Sequence, residues 1–265
     1  MNQTANYELC IVVPVFNEED NMERLAGALT DYAGHASVKT CILYVDDGST
    51  DQSRQKIKAA CEKKPDAFYI GFDKNDGLST ALKAGIDQVA SPFTGYIDAD
   101  LQTSPDDFEQ LLPYREDYEL VTGIRTGRKD SFVKRSSSRI ANWIRRMLTH
   151  DGVEDTGCPL KVMQTATAKR IPFFKGMHRF LPALVQLQQG SVKQIPVRHF
   201  ERIAGQSKYH VGNRLIGPLR DCFAYRWMKK RYINYSITTG NMVEIHHCES
   251  PTSTRHYEVR SNLLS

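Results

Sequence analysis

Apolar runs of strand length alternate with helical patterns through the first half of the chain, and this alternation constrains the fold more than any other feature. The runs are Leu9 to Val15, Cys41 to Val45, Phe68 to Phe72, Tyr96 to Ile97 and Leu120 to Thr122. Helices are predicted between them, from about Glu18 to Tyr32, Asp51 to Glu62, Leu78 to Val89 and Pro105 to Leu112. Such β-α units assemble into a mostly parallel central sheet with helices on both faces, so the sequence predicts an α/β fold.

The length of 265 residues suits one sizeable domain with a small appendage. We predict the main domain over residues 1–212, an amphipathic interfacial helix over 213–235 and a polar, poorly ordered tail over 236–265. Two later helices are predicted, from Lys134 to Leu148 and from Arg214 to Arg231. The second has an apolar side with Leu215, Leu219, Phe223 and Trp227 at helical spacing, and a Lys-Lys-Arg end.

Composition limits the compartment and the partners. The six cysteines show no paired short spacing, which is typical of the reducing cytoplasm. The N-terminus lacks a signal pattern and no window approaches a membrane span, so we expect neither secretion nor an integral membrane protein. The net charge is only +4, but basic residues gather late in the chain. They suit an anionic partner such as a phosphate or a membrane surface, although a solvated helix face is the simpler interpretation of any one of them.

Acidic residues follow the predicted strands. Asp98 and Asp100 come directly after the fourth apolar run, separated by the small residue Ala99. In open α/β sheets ligands bind beyond the carboxyl ends of the strands. Oxygen ligands of this kind hold hard divalent ions that bridge phosphates, so the pair predicts a Mg²⁺ or Mn²⁺ site, with Gln102 completing the shell. An Asp-x-Asp alone is a weak signal, because surface loops often contain one.

Two further motifs lie at the same predicted edge, Pro14-Val15-Phe16-Asn17-Glu18 and Val45-Asp46-Asp47-Gly48-Ser49. Together with Asp98-Ala99-Asp100-Leu101-Gln102 they resemble the family 2 inverting glycosyltransferases with the GT-A fold. Four other segments are Asp76 to Ala81, Val121 to Arg125, Asp155 to Cys158 and Arg202 to Tyr209. They are similar to the dolichyl-phosphate mannose synthase-like branch, which uses polyprenyl phosphates, so the resemblance spans about Cys10 to Tyr209.

The resemblance implies a role for particular residues. Nucleotide contacts would come from Pro14, Phe16, Glu18, Asp47, Asp98, Ala99 and Arg125, and the metal site from Asp98, Asp100 and Gln102. Phe16 stands where the family commonly has Tyr, so a hydroxyl contact there is lost while stacking on a base is retained. Arg202 and Lys208 would face phosphates and stabilise the charge that develops on the leaving diphosphate. They flank Gly205 in a segment suited to a closing loop, and a solvated basic loop is the alternative.

The acceptor decides whether a general base is needed. A phosphate acceptor is already anionic near neutral pH, so a polyprenyl phosphate needs positioning more than deprotonation. A sugar hydroxyl, as in polysaccharide or cell-envelope glycan synthesis, would need a base, for which Asp155 is the candidate. The alternative for Asp155 is a loop carboxylate that caps a turn or pairs with an arginine.

The expected partners are a nucleotide sugar, GDP-mannose or a UDP-hexose, and a polyprenyl phosphate at an anionic membrane surface. The helix from Arg214 to Arg231 carries the aromatic residues Tyr225 and Trp227, with Tyr232 next to it, which we expect at a membrane interface. It suits peripheral association with the cytoplasmic face, although such a stripe can instead pack on its own domain. The resemblance also implies a possible membrane-embedded partner protein. A nucleotide-sugar-binding protein without turnover remains an alternative. Nucleic-acid binding is disfavoured because no recognised module appears, and a dinucleotide oxidoreductase because the first turn has no glycine.

Overall fold

The computed structural model of the protein describes residues 2–126, 151–200 and 216–235, together with Met147 and Thr149; for residues 216–219 it describes the backbone alone. The first half is built from parallel strands that alternate with helices, as predicted. The strands are β1 (Leu9–Val15), β2 (Thr40–Asp46), β3 (Ala67–Gly71) and β4 (Phe93–Tyr96). The helices are α1 (Met22–His35), α2 (Ser53–Lys63) and α3 (Leu78–Gln88).

Helix α1 begins four residues later than the sequence predicted, at Met22 instead of Glu18. The backbone N–H groups of Asn17 and Glu18 donate to the hydroxyls of Ser49 and Ser53, at 3.0 and 2.8 Å. Asn17 also has a positive φ of 50°, which does not belong to a right-handed helix. The segment after β1 therefore binds the loop after β2 before it can turn into a helix.

The second half completes a seven-stranded sheet in the order β3-β2-β1-β4-β6-β5-β7. Strand β6 is antiparallel to both β4 and β5, whereas the other pairs are parallel. The remaining elements are α4 (Phe108–Leu111), β5 (Leu120–Thr126), β6 (Lys161–Gln164), α5 (Thr165–Arg170), α6 (Leu181–Leu187), β7 (Val192–Arg198) and α7 (Ile216–Lys229). Short 3₁₀ turns at Pro105–Asp107 and Leu112–Tyr114 flank α4, and another at Met177–Arg179 leads towards α6.

Helices cover both faces of the sheet, as the sequence predicted. Alternate residues of β1 enter two separate apolar clusters: Ile11 packs with α1 and α4, and Val12 packs with α3 and α6. Every residue of β1 and β2 is buried, which explains why these strands appear in the sequence as continuous apolar runs. Helix α3 approaches the sheet closely at Gly85, where a Cβ atom would lie 2.4 Å from a methyl of Val12.

Helix α7 confirms the helix predicted from Arg214 to Arg231 and corrects which side of it faces the domain. Cys222 and Tyr225 are buried in the second apolar cluster, and the Tyr225 hydroxyl donates to the Ala183 carbonyl at 3.0 Å. Tyr225 is therefore a core residue, not an interfacial aromatic. Phe223 and Trp227 are 62% and 61% exposed.

Two predicted segments lie outside the described residues. They are the helix from Lys134 to Leu148, of which only Met147 is described, and the tail from 236 to 265. Within the described part of the chain, no helix combines the length and apolarity that crossing a membrane requires.

Candidate active site

The topology brings the acidic motifs to one edge of the sheet. Strands β1, β2 and β4 are parallel neighbours, and β5 points the same way because β6 is antiparallel to both β4 and β5. Their carboxyl ends therefore share an edge, which carries Glu18 after β1, Asp47 after β2, Asp98 after β4 and Arg125 near the end of β5. Open α/β sheets bind ligands at this edge.

Asp98 and Asp100 form the acidic centre of the edge. The Tyr96 hydroxyl donates to Oδ1 of Asp98 at 2.7 Å, and the backbone N–H of Gln102 donates to Oδ1 of Asp100 at 3.1 Å. Leu101 has a φ of 52°, so a left-handed residue turns the chain between these contacts. Burial, followed by the negative charge of Asp100, raises the pKa of Asp98. Two carboxylates are thus held close enough to repel one another.

The residues of this pair fit a divalent cation. Each carboxylate has about four lone-pair sites, so a carboxylate that accepts a hydrogen bond can also coordinate a cation. A cation would also relieve the repulsion that raises the pKa of Asp98. In the described part of the chain, no group of three or more His, Cys, Asp or Glu side chains converges on one point. Mg²⁺ is usually bound through one or two carboxylates together with substrate phosphates, so the two carboxylates of Asp98 and Asp100 suit Mg²⁺ or Mn²⁺. The Gln102 side chain as a third ligand stays a prediction.

Arg125 and Asp155 form a bidentate ion pair beside the acidic centre. Nε and Nη2 of Arg125 donate to the two carboxylate oxygens at 2.7 and 2.8 Å, and the Arg125 backbone N–H donates at 3.2 Å. Burial alone would raise the pKa of Asp155, but the hydrogen bonds and charge of Arg125 outweigh it, and the pKa is lowered. Of the two interpretations of Asp155 from sequence, the described geometry matches the carboxylate that pairs with an arginine. Arg125 keeps further N–H donors, so its predicted phosphate contact remains open.

Lys161 is a buried cation that sequence reasoning missed. It is 1% exposed at the start of β6, directly opposite Tyr96 of β4 and Thr122 of β5. Its ammonium donates to the carbonyls of Cys158 and Thr156, which belong to the segment that carries Asp155. Its charge also opposes the rise in the pKa of Asp98. A lysine between the apolar residues Leu160 and Val162 was the signal that could have revealed it.

Four of the residues predicted to contact a nucleotide lie at the carboxyl ends of β1 and β2 or just beyond them. Pro14 is buried within β1, and Phe16 and Glu18 are half-buried just beyond it. Glu18 accepts a hydrogen bond from the Asn21 side chain at 2.7 Å. Asp47 accepts from the backbone N–H groups of residues 76 and 77 at 2.8 and 2.9 Å, which ties it to the loop before α3. Their nucleotide contacts, and that of Ala99, stay predictions.

The predicted basic residues Arg202 and Lys208 lie outside the described residues. The chain that leads to them does contact the site, because the backbone N–H of Phe200 donates to the Gln102 carbonyl at 2.9 Å. Just before it, Arg198 pairs with the fully buried Asp107 at 2.9 Å. Residues 198–200 are thus held beside the loop that carries Asp98 and Asp100.

Comparison with known families matches residues 10–175 to the family described as glycosyl transferase family 2. The dodecaprenyl-phosphate galacturonate synthase of Rhizobium johnstonii is 32% identical over 214 residues, which cover 77% of this chain and 62% of that protein. The undecaprenyl-phosphate 4-deoxy-4-formamido-L-arabinose transferase of Serratia proteamaculans is 31% identical over 217 residues, which cover 81% of this chain and 66% of that protein. The chain therefore spans 62% and 66% of the length of these two curated relatives.

Solved structures share the fold. Glucosyl-3-phosphoglycerate synthase from Mycobacterium tuberculosis, in complex with Mn²⁺, UDP and glucosyl-3-phosphoglycerate, superposes with a TM-score of 0.63 at 15% identity, covering 85% of this chain and 81% of that one. A mannosyltransferase from Pyrobaculum calidifontis in complex with GDP-mannose and Mn²⁺ gives a TM-score of 0.61 at 16% identity, covering 87% and 66%. At such identities the likeness shows the fold alone, and it confirms the GT-A fold expected from the motifs.

Proposed function

The chain belongs to glycosyl transferase family 2, and on this premise we propose that it transfers a sugar from a nucleotide sugar to the phosphate of a polyprenyl phosphate. The observation that carries the proposal is the pair of mutually repelling carboxylates, Asp98 and Asp100, at the carboxyl edge of the sheet beside Arg125. The two curated relatives support the acceptor, because dodecaprenyl phosphate and undecaprenyl phosphate stand in their names.

The proposed reaction exchanges one anomeric bond for another. An oxygen of the acceptor phosphate attacks the anomeric carbon, the bond from that carbon to the donor diphosphate breaks, and the nucleoside diphosphate leaves with the electron pair. The chain's part is to hold donor and acceptor in line and to stabilise the developing negative charge. A divalent cation held by Asp98 and Asp100 would neutralise charge on the leaving diphosphate. Arg202 and Lys208 are proposed to face the same phosphates.

The state of Asp155 favours a phosphate acceptor over a sugar hydroxyl. A general base works best when its pKa lies near the working pH. The pKa of Asp155 is instead lowered by Arg125, which engages both carboxylate oxygens. A phosphate acceptor needs no such base, since it is already anionic. The hydroxyl acceptor remains the second candidate, and it requires Asp155 to leave its partner during turnover.

The outer side of α7 supports peripheral binding to an anionic membrane, which we place at the cytoplasmic face. Phe223 and Trp227 are exposed although the opposite side of the helix is packed on the domain. Exposed basic residues surround them, and the Arg231 guanidinium lies 5.2 Å from the centre of the Trp227 ring. The exposed basic residues are Arg220, Arg226, Lys229, Lys230 and Arg231. An apolar strip rimmed by cations is typical of helices that lie in the interface of an anionic bilayer.

The proposal is tested by supplying purified protein with Mg²⁺ or Mn²⁺, a short-chain polyprenyl phosphate and radiolabelled nucleotide sugars, UDP-hexoses, UDP-uronic acids and GDP-mannose in turn. Label that passes into organic solvent is counted. Asp100→Asn removes one carboxylate of the proposed metal pair, and Asp87→Asn is the matched control. Asp87 is 44% exposed near the end of α3, where it forms only a surface ion pair with Lys83.

We expect label in the lipid phase from one donor, its loss in Asp100→Asn and its retention in Asp87→Asn. Absence of lipid-soluble label with every donor, together with metal-dependent nucleotide binding by calorimetry, would refute the polyprenyl phosphate acceptor. That outcome favours the hydroxyl acceptor or a binding protein without turnover.

A further inference from the structure

The loop before α3, residues 74–77, is clamped to the end of β2. The carboxylate of Asp47 accepts from the backbone N–H groups of Asp76 and Gly77, and from the Asn75 side chain at 2.9 Å. A Cβ atom on Gly48 would lie 2.1 Å from the backbone of this loop, so only glycine permits the contact. Asp47, a predicted nucleotide contact, is therefore fixed relative to this loop by three hydrogen-bond donors.

A second clamp holds the same loop from the first turn of α3. Nδ1 of His178 lies 2.9 Å from the Ser79 hydroxyl oxygen, and the backbone N–H of Gly176 donates to that oxygen at 3.1 Å. The serine oxygen has two lone pairs and one hydrogen, so it accepts from Gly176 while it also forms a hydrogen bond with Nδ1. Burial, followed by the charge of Arg179, lowers the pKa of His178 to about 3, so the imidazole in this hydrogen bond is neutral near pH 7.

The turn that carries His178 is itself rigidly packed. Gly176 has a φ of 95°, and a Cβ atom there would lie 2.7 Å from a carboxylate oxygen of Asp221 in α7. The turn continues through Met177, which is fully buried, into the core residue Phe180. The turn that carries His178 thus packs against α7 at Gly176 and into the core at Met177 and Phe180. None of these contacts involves the loop of residues 74–77, so the turn is a fixed point from which that loop can be positioned.

We propose that Ser79 and His178 are positioning residues of the donor site, whose hydrogen bond fixes α3 and, through residues 74–77, the carboxylate of Asp47 that receives the nucleotide. The inference rests on the proposed function and deepens it, because it assigns to a neutral histidine the alignment of the nucleoside diphosphate pocket. Neither residue touches the reacting atoms. Losing their bond therefore weakens donor binding and leaves turnover at saturating donor nearly unchanged.

Two histidine variants separate the hydrogen bond from the bulk of the ring. In His178→Asn the side-chain amide falls where Nδ1 lies and keeps a hydrogen-bond partner for Ser79, whereas in His178→Gln it falls nearer Nε2. Ser79→Ala removes the hydroxyl. Ser91→Ala is the matched control, because the Ser91 hydroxyl is buried and donates to the Phe93 carbonyl at 3.0 Å, at the amino end of β4 away from the site.

The experiment measures the dissociation constants of UDP and GDP by calorimetry with Mn²⁺, the melting temperature of each variant, and KM and kcat for the donor. One of the two nucleotides, UDP or GDP, will bind the unsubstituted protein more tightly. We expect that nucleotide to bind about tenfold more weakly to Ser79→Ala and His178→Gln, as the loss of one buried hydrogen bond implies. His178→Asn and Ser91→Ala should stay within about twofold of the unsubstituted protein. KM should rise in the first two variants while kcat holds.

The proposal would be overturned if all four variants bound the nucleotide as tightly as the unsubstituted protein. It would also be overturned if His178→Asn lost as much nucleotide affinity as His178→Gln. If the loss of nucleotide affinity instead scaled with the fall in melting temperature across all variants, Ser91→Ala included, it would show a general effect on the fold. That result would also overturn the proposal. Nucleotide binding without lipid-soluble product refutes only the polyprenyl phosphate acceptor. Failure of the unsubstituted protein to bind either nucleotide would refute the donor site and the positioning role together.

Discussion

Replacing Asp155 by asparagine tests whether this carboxylate is structural or catalytic. The side chains of Asp155 and Arg125 are 12% and 16% exposed, so their ion pair is largely buried. Removing one partner of a buried pair costs about 3–5 kcal/mol, because the other charge is left without compensation. Asparagine keeps one acceptor for Arg125, which places the expected loss at the lower end, about 3 kcal/mol. For a domain of this size that corresponds to a fall in melting temperature of about 6–12 °C.

Urea denaturation and thermal unfolding measure this loss, and Arg125→Gln supplies the second arm of a double-mutant cycle. The double variant, with two neutral amides, should be more stable than the sum of the single losses predicts, by about 2 kcal/mol. The dependence on pH has a definite sign. The pKa of Asp155 is lowered in the folded protein, so its contribution is complete above its ordinary value and is lost only as the pH falls through the lower, folded value. The stability difference between Asp155→Asn and the unsubstituted protein should therefore be constant near neutral pH and shrink in acid.

A melting temperature unchanged in Asp155→Asn, combined with a severe loss of transfer to a sugar hydroxyl, would contradict this argument. It would show that the carboxylate leaves Arg125 and acts as a base. Partial activity with polyprenyl phosphate in the folded variant is the result that the ion-pair interpretation expects.

Gly48→Ala should destabilise the protein by about 2 kcal/mol or more in urea, because Gly48 has a φ of 69° and a Cβ there would lie within 2.1 Å of the loop before α3. Gly27→Ala in α1, where a Cβ meets nothing within 4 Å, should instead be neutral or stabilise the protein slightly. A similar loss of unfolding free energy in both variants would contradict the close contact of Gly48 with the loop before α3. Tyr96→Phe removes a hydrogen bond that lowers the pKa of Asp98, so protons compete for this carboxylate at higher pH. Mn²⁺ binding, followed by calorimetry across pH, should accordingly begin to weaken at a higher pH than in the unsubstituted protein, and an unchanged profile would exclude Asp98 as a ligand. Trp227→Ala should reduce co-sedimentation with vesicles that contain anionic lipid without lowering the melting temperature, since the ring is 61% exposed; undiminished binding would place the membrane contact elsewhere.

Much of the fold follows from local sequence pattern. Strands β1 and β2 are buried on both faces, so their apolar runs are continuous and their bounds are predicted almost to the residue. The acidic positions after β1, β2 and β4 also follow, because in a parallel sheet the end of every such strand meets the same edge. Strands β6 and β7 were not predicted. β6 is four residues long and begins with Lys161, and β7 contains Lys193, Gln194 and Pro196, so neither presents a clear apolar run.

The sequence by itself determined the parallel α/β core, the edge where the acids collect and the family to which the chain belongs, because these depend on residues near one another along the chain. The tertiary structure alone decided what those residues do to each other. Arg125 meets Asp155 across 30 positions, and Ser79 meets His178 across 99. Lys161 reaches the acidic centre only because β6 enters the sheet between β4 and β5. Which side of α7 is exposed is likewise set by the partner against which Tyr225 packs. Contacts of this kind depend on strand order and helix docking, which no local spacing encodes.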